Sequence, residues 1–221
     1  MESSAERRPP LDTEERLESI TDWLKSNPRL TATALGVVVA FGIGGWLYTR
    51  AQAGKELRAE QALRRAEQTV ASGNAPLAQT DLQKLVRDYR GTTGAAQGAM
   101  LLAQLHFQKG EWQAAVDALE KSEAGREEFQ APVEGMLGDA YSQLNKPAEA
   151  AAHYRKAAEL SRFEGERDMF LADAARHLAA ANDTAGALQI WQDLAKKERS
   201  ELAAEARLRV GELSAKAASR S

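Results

Sequence analysis

The feature that most restricts how this chain folds is a 35-residue self-similarity in its second half. Leu102-Ala103-x-x-His106-x-x-x-Gly110-x-x-x-x-Ala115-x-x-x-Leu119 recurs as Leu137-Gly138-x-x-Tyr141-x-x-x-Asn145-x-x-x-x-Ala150-x-x-x-Tyr154. A unit this short cannot bury its apolar face alone, so neighbouring units must stack into one continuous core. The pattern reads as helix–turn–helix. Ala103 or Gly138 is small where paired helices touch, Ala115 and Ala150 mark the closest crossing, and Gly110 or Asn145 makes the turn. Tyr141, Leu119 and Tyr154 fill the space between. A weaker copy follows at Ala175, Leu178, Asn182, Ala187 and Trp191, and a degenerate one precedes at Ala66, Gly73, Ala78 and Leu82. Good helix formers dominate after Arg50, and short turn-like segments rich in Gly, Asn and Pro interrupt them. Ser200 to Ser214 places Leu202, Leu208 and Leu213 in a last helix that caps the stack.

A second feature lies upstream. No ionisable side chain occurs between Arg29 and Arg50, leaving an uncharged window of about 20 residues from Leu30 to Thr49. At 1.5 Å per residue such a helix reaches about 30 Å, the thickness of a bilayer's hydrocarbon core. Trp46 and Tyr48 follow the apolar run, where amphipathic rings suit the headgroup level. Asn27 is a suitable N-cap and Pro28 fits a first helical turn. Ala51-Gln52-Ala53 resembles a signal-peptide cleavage site, but the long preceding segment and the long apolar stretch favour a permanent anchor. Basic residues on the two sides, Arg16, Lys25 and Arg29 against Arg50, Lys55, Arg58 and Arg64, do not choose an orientation. Ala32, Gly36, Ala40 and Gly44 recur every fourth residue and form a small-residue face for a partner helix. Upstream, Asp12 and Glu15 fit a capping box for a short helix carrying Leu17, Ile20 and Leu24 on one side.

Composition narrows the function. With 29 Lys+Arg against 32 Asp+Glu, the net charge of -3 argues against a nucleic-acid partner. The absence of Cys excludes disulfides, thiolate metal sites and thiol catalysis. His106, His153 and His177 are scattered, without the four-residue spacing of a helical zinc site, and His106 reads as a packed structural residue. Gly91-Thr92-Thr93-Gly94-Ala95-Ala96-Gln97-Gly98 lacks the lysine and preceding strand of a phosphate loop and reads as a repeat linker. No Ser/His/Asp set is recognisable. These observations predict a non-enzyme with no metal and no cofactor. The first helices of stacked pairs instead offer an inner surface. Its expected groove residues are Met100, Gln104, Phe107 and Gln108, then Gly135, Asp139 and Gln143, then Met169, Ala172 and Arg176. Met100/Gln104 and Gly135/Asp139 do not form the Lys/Asn clamp that grips a terminal carboxylate.

The layout resembles the YfgM-type tetratricopeptide-like proteins, ancillary subunits of the SecYEG translocon. The resemblance rests on the charged Leu17–Lys25 segment, the Gly/Val-rich span ending Ile43-Gly44-Gly45-Trp46, a helix beginning near Ala53, and Leu101-Leu102-Ala103-Gln104 within Gly94–Gln113. It implies a bacterial inner-membrane protein with a cytoplasmic N-terminus. Its periplasmic repeats would contact the translocon and periplasmic chaperones. Met1–Leu11 is longer and more Pro-rich than that pattern, which leaves room for a different partner. The expected fold is all-α, a single transmembrane helix followed by a tetratricopeptide-like solenoid. Its parts are an N-terminal tail (1–28), the span (29–49), the repeats (50–199) and a capping helix with tail (200–221). The expected function is a protein-binding module of the export machinery, or alternatively a structural accessory subunit of another large membrane complex. The expected partners are that complex, a periplasmic protein or peptide, and the lipid bilayer.

Overall fold

The computed structural model describes residues 26, 28–123, 127–197 and 200–218. The chain divides into two units, Met1–Ala53 and Gly54–Ser221. Nine α-helices occur among the described residues. They are α1 (Pro28–Ala71), α2 (Ala75–Asp88), α3 (Thr93–Gln108), α4 (Trp112–Ser122), α5 (Glu127–Gln143), α6 (Pro147–Leu160), α7 (Glu164–Ala180), α8 (Thr184–Ala195) and α9 (Ala203–Ala218).

In the second unit the turn inside each helix pair is built the same way. Gly73, Gly110, Asn145 and Asn182 occupy the left-handed region at φ 76°, 71°, 55° and 66°. That region costs an ordinary residue about 1–2 kcal/mol, which is why Gly or Asn holds the position. The next N–H then folds back over the helix end. Glu111 donates to the His106 carbonyl at 2.9 Å, Lys146 to Tyr141 at 3.0 Å and Asp183 to Leu178 at 2.8 Å. Carbonyls that the helix leaves unpaired are thereby satisfied. The following helices start on their own caps. Asn74 Oδ1 accepts from the Leu77 N–H, Asp183 Oδ1 accepts from the Gly186 N–H, and Pro147 opens α6.

These turns stack four helix pairs: the Gly54–Ala71 part of α1 with α2, α3 with α4, α5 with α6, and α7 with α8. The result is an all-helical repeat solenoid closed by α9. From α2 onward, consecutive helices pack on one another, α3 touches α5, and α2 touches α4. The core is a chain of linked clusters. Ala59, Leu63 and Ala66 meet Leu82, Leu85 and Leu102; Ala103, Ala115 and Leu119 meet Val133 and Leu137; Ala175, Leu178 and Ala187 meet Trp191 and Leu194. Ala150 and Tyr154 bridge the last two pairs through Ala174. Glycines permit the closest approaches. A Cβ on Gly94 would lie 2.8 Å from the Ala59 backbone, and one on Gly138 would lie 2.8 Å from the Tyr154 ring. The glycine-rich 91–98 segment is therefore structural. Gly91 turns at φ 77°, the Thr92 side chain caps α3, and Gly94 and Gly98 make room for α1 and Leu85.

The first unit contributes the beginning of α1, where Leu35, Val38, Phe41, Ile43, Trp46 and Tyr48 are all exposed. Among the described residues, no helix is long and apolar enough to cross a membrane. The expected 29–49 span includes Leu30, Thr31 and Ala34, whose side chains lie outside the described set. The expected short helix Leu17–Lys25, its Asp12/Glu15 capping box and the Asn27 cap also lie outside the described residues. Two expectations are corrected. No separate helix begins near Ala53, because α1 runs unbroken to Ala71. Arg50 to Arg58 are mostly helix formers, and the lone Gly54 costs only about 1 kcal/mol relative to Ala. Leu202 lies in the turn before α9 rather than in the helix; it and Leu213 on α9 pack on the last cluster as a cap would, while Leu208 on α9 is 61% exposed.

Candidate protein-binding surface

The groove residues expected from the repeat register fall into three groups. Met100 and Phe107 on α3 are half-buried against Ala103, Leu119 and Leu137, and the Phe107 ring lies 5.5 Å from Trp112. They belong to the core rather than to an open groove, since the apolar seam between α3 and α5 draws them in. Gly135 is likewise covered, because a Cβ there would meet the Phe170 ring at 2.6 Å, and Ala172 is fully buried. Gln104, Gln108 and Gln143 remain exposed. Met169 is 61% exposed and lines a cleft with Leu202 and Lys197.

Asp139 and Arg176 are already engaged. The Tyr154 hydroxyl donates to Asp139 Oδ1 at 2.5 Å. Burial, then this bond and the carboxylate's charge, push the Tyr154 pKa upward, so the phenol stays protonated. Arg176 donates to Asp173 at 2.6 Å and grips both Glu205 oxygens at 2.8 and 2.9 Å, tying α7 to α9. Its guanidinium also lies 5.6 Å from the Trp191 ring centre. Burial raises the Asp173 carboxyl, with Asp139 adding to the effect, despite opposition from Arg176. His177, stacked on Tyr154 with ring centres 5.4 Å apart, is lowered chiefly by burial. Asp139, Tyr154, Asp173 and Arg176 therefore form one polar patch linking the last two pairs, whereas Gln104 and Gln108 lie on α3, outside it.

Sequence reasoning missed an ionic cluster centred on a buried carboxylate. Glu134 on α5 is 9% exposed; His153 Nδ1 lies 2.8 Å and Lys156 Nζ 2.6 Å from its carboxylate. Burial alone would raise its pKa, but the bonds and charges of His153 and Lys156 outweigh that and hold it low. In the next pair, buried Asp168 meets Lys197 Nζ at 2.5 Å. Glu134 and Asp168 precede Leu137 and Leu171 by the same three residues, a register that marks the two acids but not their partners. His106 is a packed residue, with Nδ1 2.6 Å from Glu111 across the α3–α4 turn.

Similarity now places this geometry among known domains. Residues 21–128 match the family model of a tetratricopeptide repeat-like domain. No curated protein matches the chain. The match to the repeat-like domain takes in the apolar part of α1 and the first two helix pairs, and the structure continues the same architecture through α5 to α8. A tetratricopeptide-like repeat domain serves as a protein-interaction module, displaying side chains from successive helices on one extended surface.

Proposed function

We propose that this chain is a single-span membrane protein whose repeats bind protein partners of the export translocon and periplasmic chaperones. The observation that carries the membrane part is the exposed apolar face of α1 from Leu35 to Tyr48, inside an uncharged sequence window and within the matched domain. Those side chains need a lipid or protein environment. The resemblance to translocon-associated proteins supports a cytoplasmic N-terminus and repeats on the periplasmic side. Alkaline extraction of membranes should leave the chain in the pellet. A reporter active only in the periplasm, fused after Ser221, should be active. Release by alkali, or reporting only from the cytoplasm, overturns this reading.

The partner-binding part rests on exposed Gln104, Gln108 and Gln143 along successive first helices. Replacing Gln104 and Gln143 together by Glu should deplete the partner that co-purifies from mild detergent, at an unchanged unfolding midpoint.

A second reading, a structural subunit of another membrane assembly, is favoured by Gly36 and Gly44. A side chain at either position would meet nothing within 4 Å, so that face of α1 is open to a close helix. Replacing both by Leu keeps the segment apolar. Loss of a stoichiometric integral-membrane neighbour in that variant, with retention after Val38→Leu and Phe41→Leu, favours the structural reading. Equal retention makes the helix a tether.

A further inference from the structure

The first helices of the four pairs lie side by side. α1 and α3 touch at Ala59 and Gly94, α3 packs on α5, and α5 meets α7 where Gly135 faces Phe170. On each of them a small, covered residue (Ala66, Ala103, Gly138, Ala172) is followed directly by a polar one that faces outward. Those four residues are Glu67, Gln104, Asp139 and Asp173. The first three are exposed and the last is half-buried, so together they cross the open side of the helices as one row.

The row is acidic, and its negative charge is largely uncompensated. Glu67 has no partner among the described residues, and Asp139 accepts only from the neutral Tyr154 hydroxyl. Asp173 shares Arg176 with Glu205. Two turns earlier, Glu60 and Glu166 sit on the same face of α1 and α7. The neighbouring cations are spent or turned away. Arg64 lies 2.5 Å from Glu60, while Lys109 and Lys146 reach Gln79 and the Tyr141 ring. His177 stays neutral near pH 7, because burial lowers it from 6.5. Arg58 and Arg65 project from the opposite side of α1.

Spacing adds a second requirement. Axes of packed helices lie about 8–10 Å apart. A polyproline II segment repeats every three residues and rises about 3.1 Å per residue, so every third side chain returns to one face after about 9 Å. A β-strand alternates faces with period two and cannot match that step. The polyproline II backbone also leaves its carbonyls free, and the amide N–H groups of Gln104, Gln108 and Gln143 are available to bond them.

We infer that this face binds an extended polyproline II segment of a partner protein carrying lysine or arginine at every third residue, its cations over Glu67, Asp139 and Asp173. The inference rests on the glutamine surface proposed above and names the chemistry of what that surface takes. Glutamines hold the main chain and carboxylates hold the side chains. Replacing the glutamines by Glu therefore still weakens binding, since it removes donors.

The probes are three capped peptides of about ten residues, long enough to cross the row. One carries lysine at every third position with Pro-Ala between, one carries glutamate there, and one has the same lysines grouped at one end. Each is titrated into full-length protein in mild detergent and low salt. The spaced-lysine peptide should bind at least about tenfold more tightly than the glutamate peptide, since an exposed ion pair is worth about twofold to fivefold and several form at once. It should exceed the grouped peptide by about threefold. Glu67→Lys alters an exposed, unpaired side chain and should weaken the spaced peptide by at least about threefold. Asp139→Asn keeps an acceptor for Tyr154 and should weaken it by about twofold to fivefold. Equal affinity for lysine and glutamate peptides, equal affinity for spaced and grouped lysines, or indifference to both substitutions overturns the inference. If the glutamine variant loses its co-purifying partner while the peptides bind without regard to charge, the glutamine surface stands and only its basic ligand falls. A concentration-dependent dimer that Glu67→Lys dissolves would instead give the row to a second copy.

Discussion

At the scale of single residues, the second unit is held by a few buried polar contacts set among small apolar ones. Tyr154→Phe removes one donor and leaves the exposed Asp139 free to meet water. The expected loss is about 0.5–1.5 kcal/mol of unfolding free energy by denaturant titration. Protons should report on the same region. His177 is lowered from 6.5, so the unfolded chain takes up its proton first. Its contribution to stability is complete above that value and declines as pH falls towards the folded pKa. Glu134, held below the ordinary carboxylate value of 4.5, adds a second loss deeper in acid, as pH falls through its own lower pKa. Unfolding midpoints measured across the range from about pH 7 to 5 should fall, and His177→Gln should flatten that first decline. A decline unchanged in His177→Gln would assign it to another group.

At the scale of helices and turns, the packing was readable from side-chain size. Ala103, Ala115 and Ala150 each have no exposed surface, and Gly138 lies against the Tyr154 ring. Ala150→Leu should therefore overpack the bridge between the last two pairs and cost about 1–3 kcal/mol, visible as a lower thermal midpoint. Asn145→Val should lower it through the backbone, since a β-branched residue resists φ of 55°. Surface chemistry was harder to read. The 35-residue register assigns an inner face to Met100 and Phe107, but it does not reveal that the α3–α5 seam absorbs them. Nor does it show that Phe170 fills the gap over Gly135, because that contact joins residues of different repeats. The same limit hides the Glu134 cluster, whose partners come from positions 19 and 22 residues further along. Periodicity describes what recurs, and these contacts occur once.

At the scale of the molecule, a stack in which each pair touches chiefly its neighbours melts by local steps. Trp191 is 1% exposed at the far end of the stack, so Trp191→Ala should cost about 3–5 kcal/mol there. Hydrogen exchange should then accelerate in α7, α8 and α9 while α2 to α4 keep most of their protection. Uniform acceleration would mean that the second unit unfolds as one cooperative body.

The meeting of Gly94 with the Ala59 backbone bears on mutational tolerance. Elsewhere a clash can be relieved by a rotating side chain, as at Gly98, where only the Leu85 side chain would be struck. At Gly94 the obstacle is main chain, and even one added methyl group forces two helices apart. A saturation library selected for a folded domain should leave position 94 almost empty of substitutions. Its neighbour Thr93, half-buried and held through its backbone N–H by Glu56, should accept many. Among the glycines where two helices meet in this unit, drift would be slowest at the one that faces main chain.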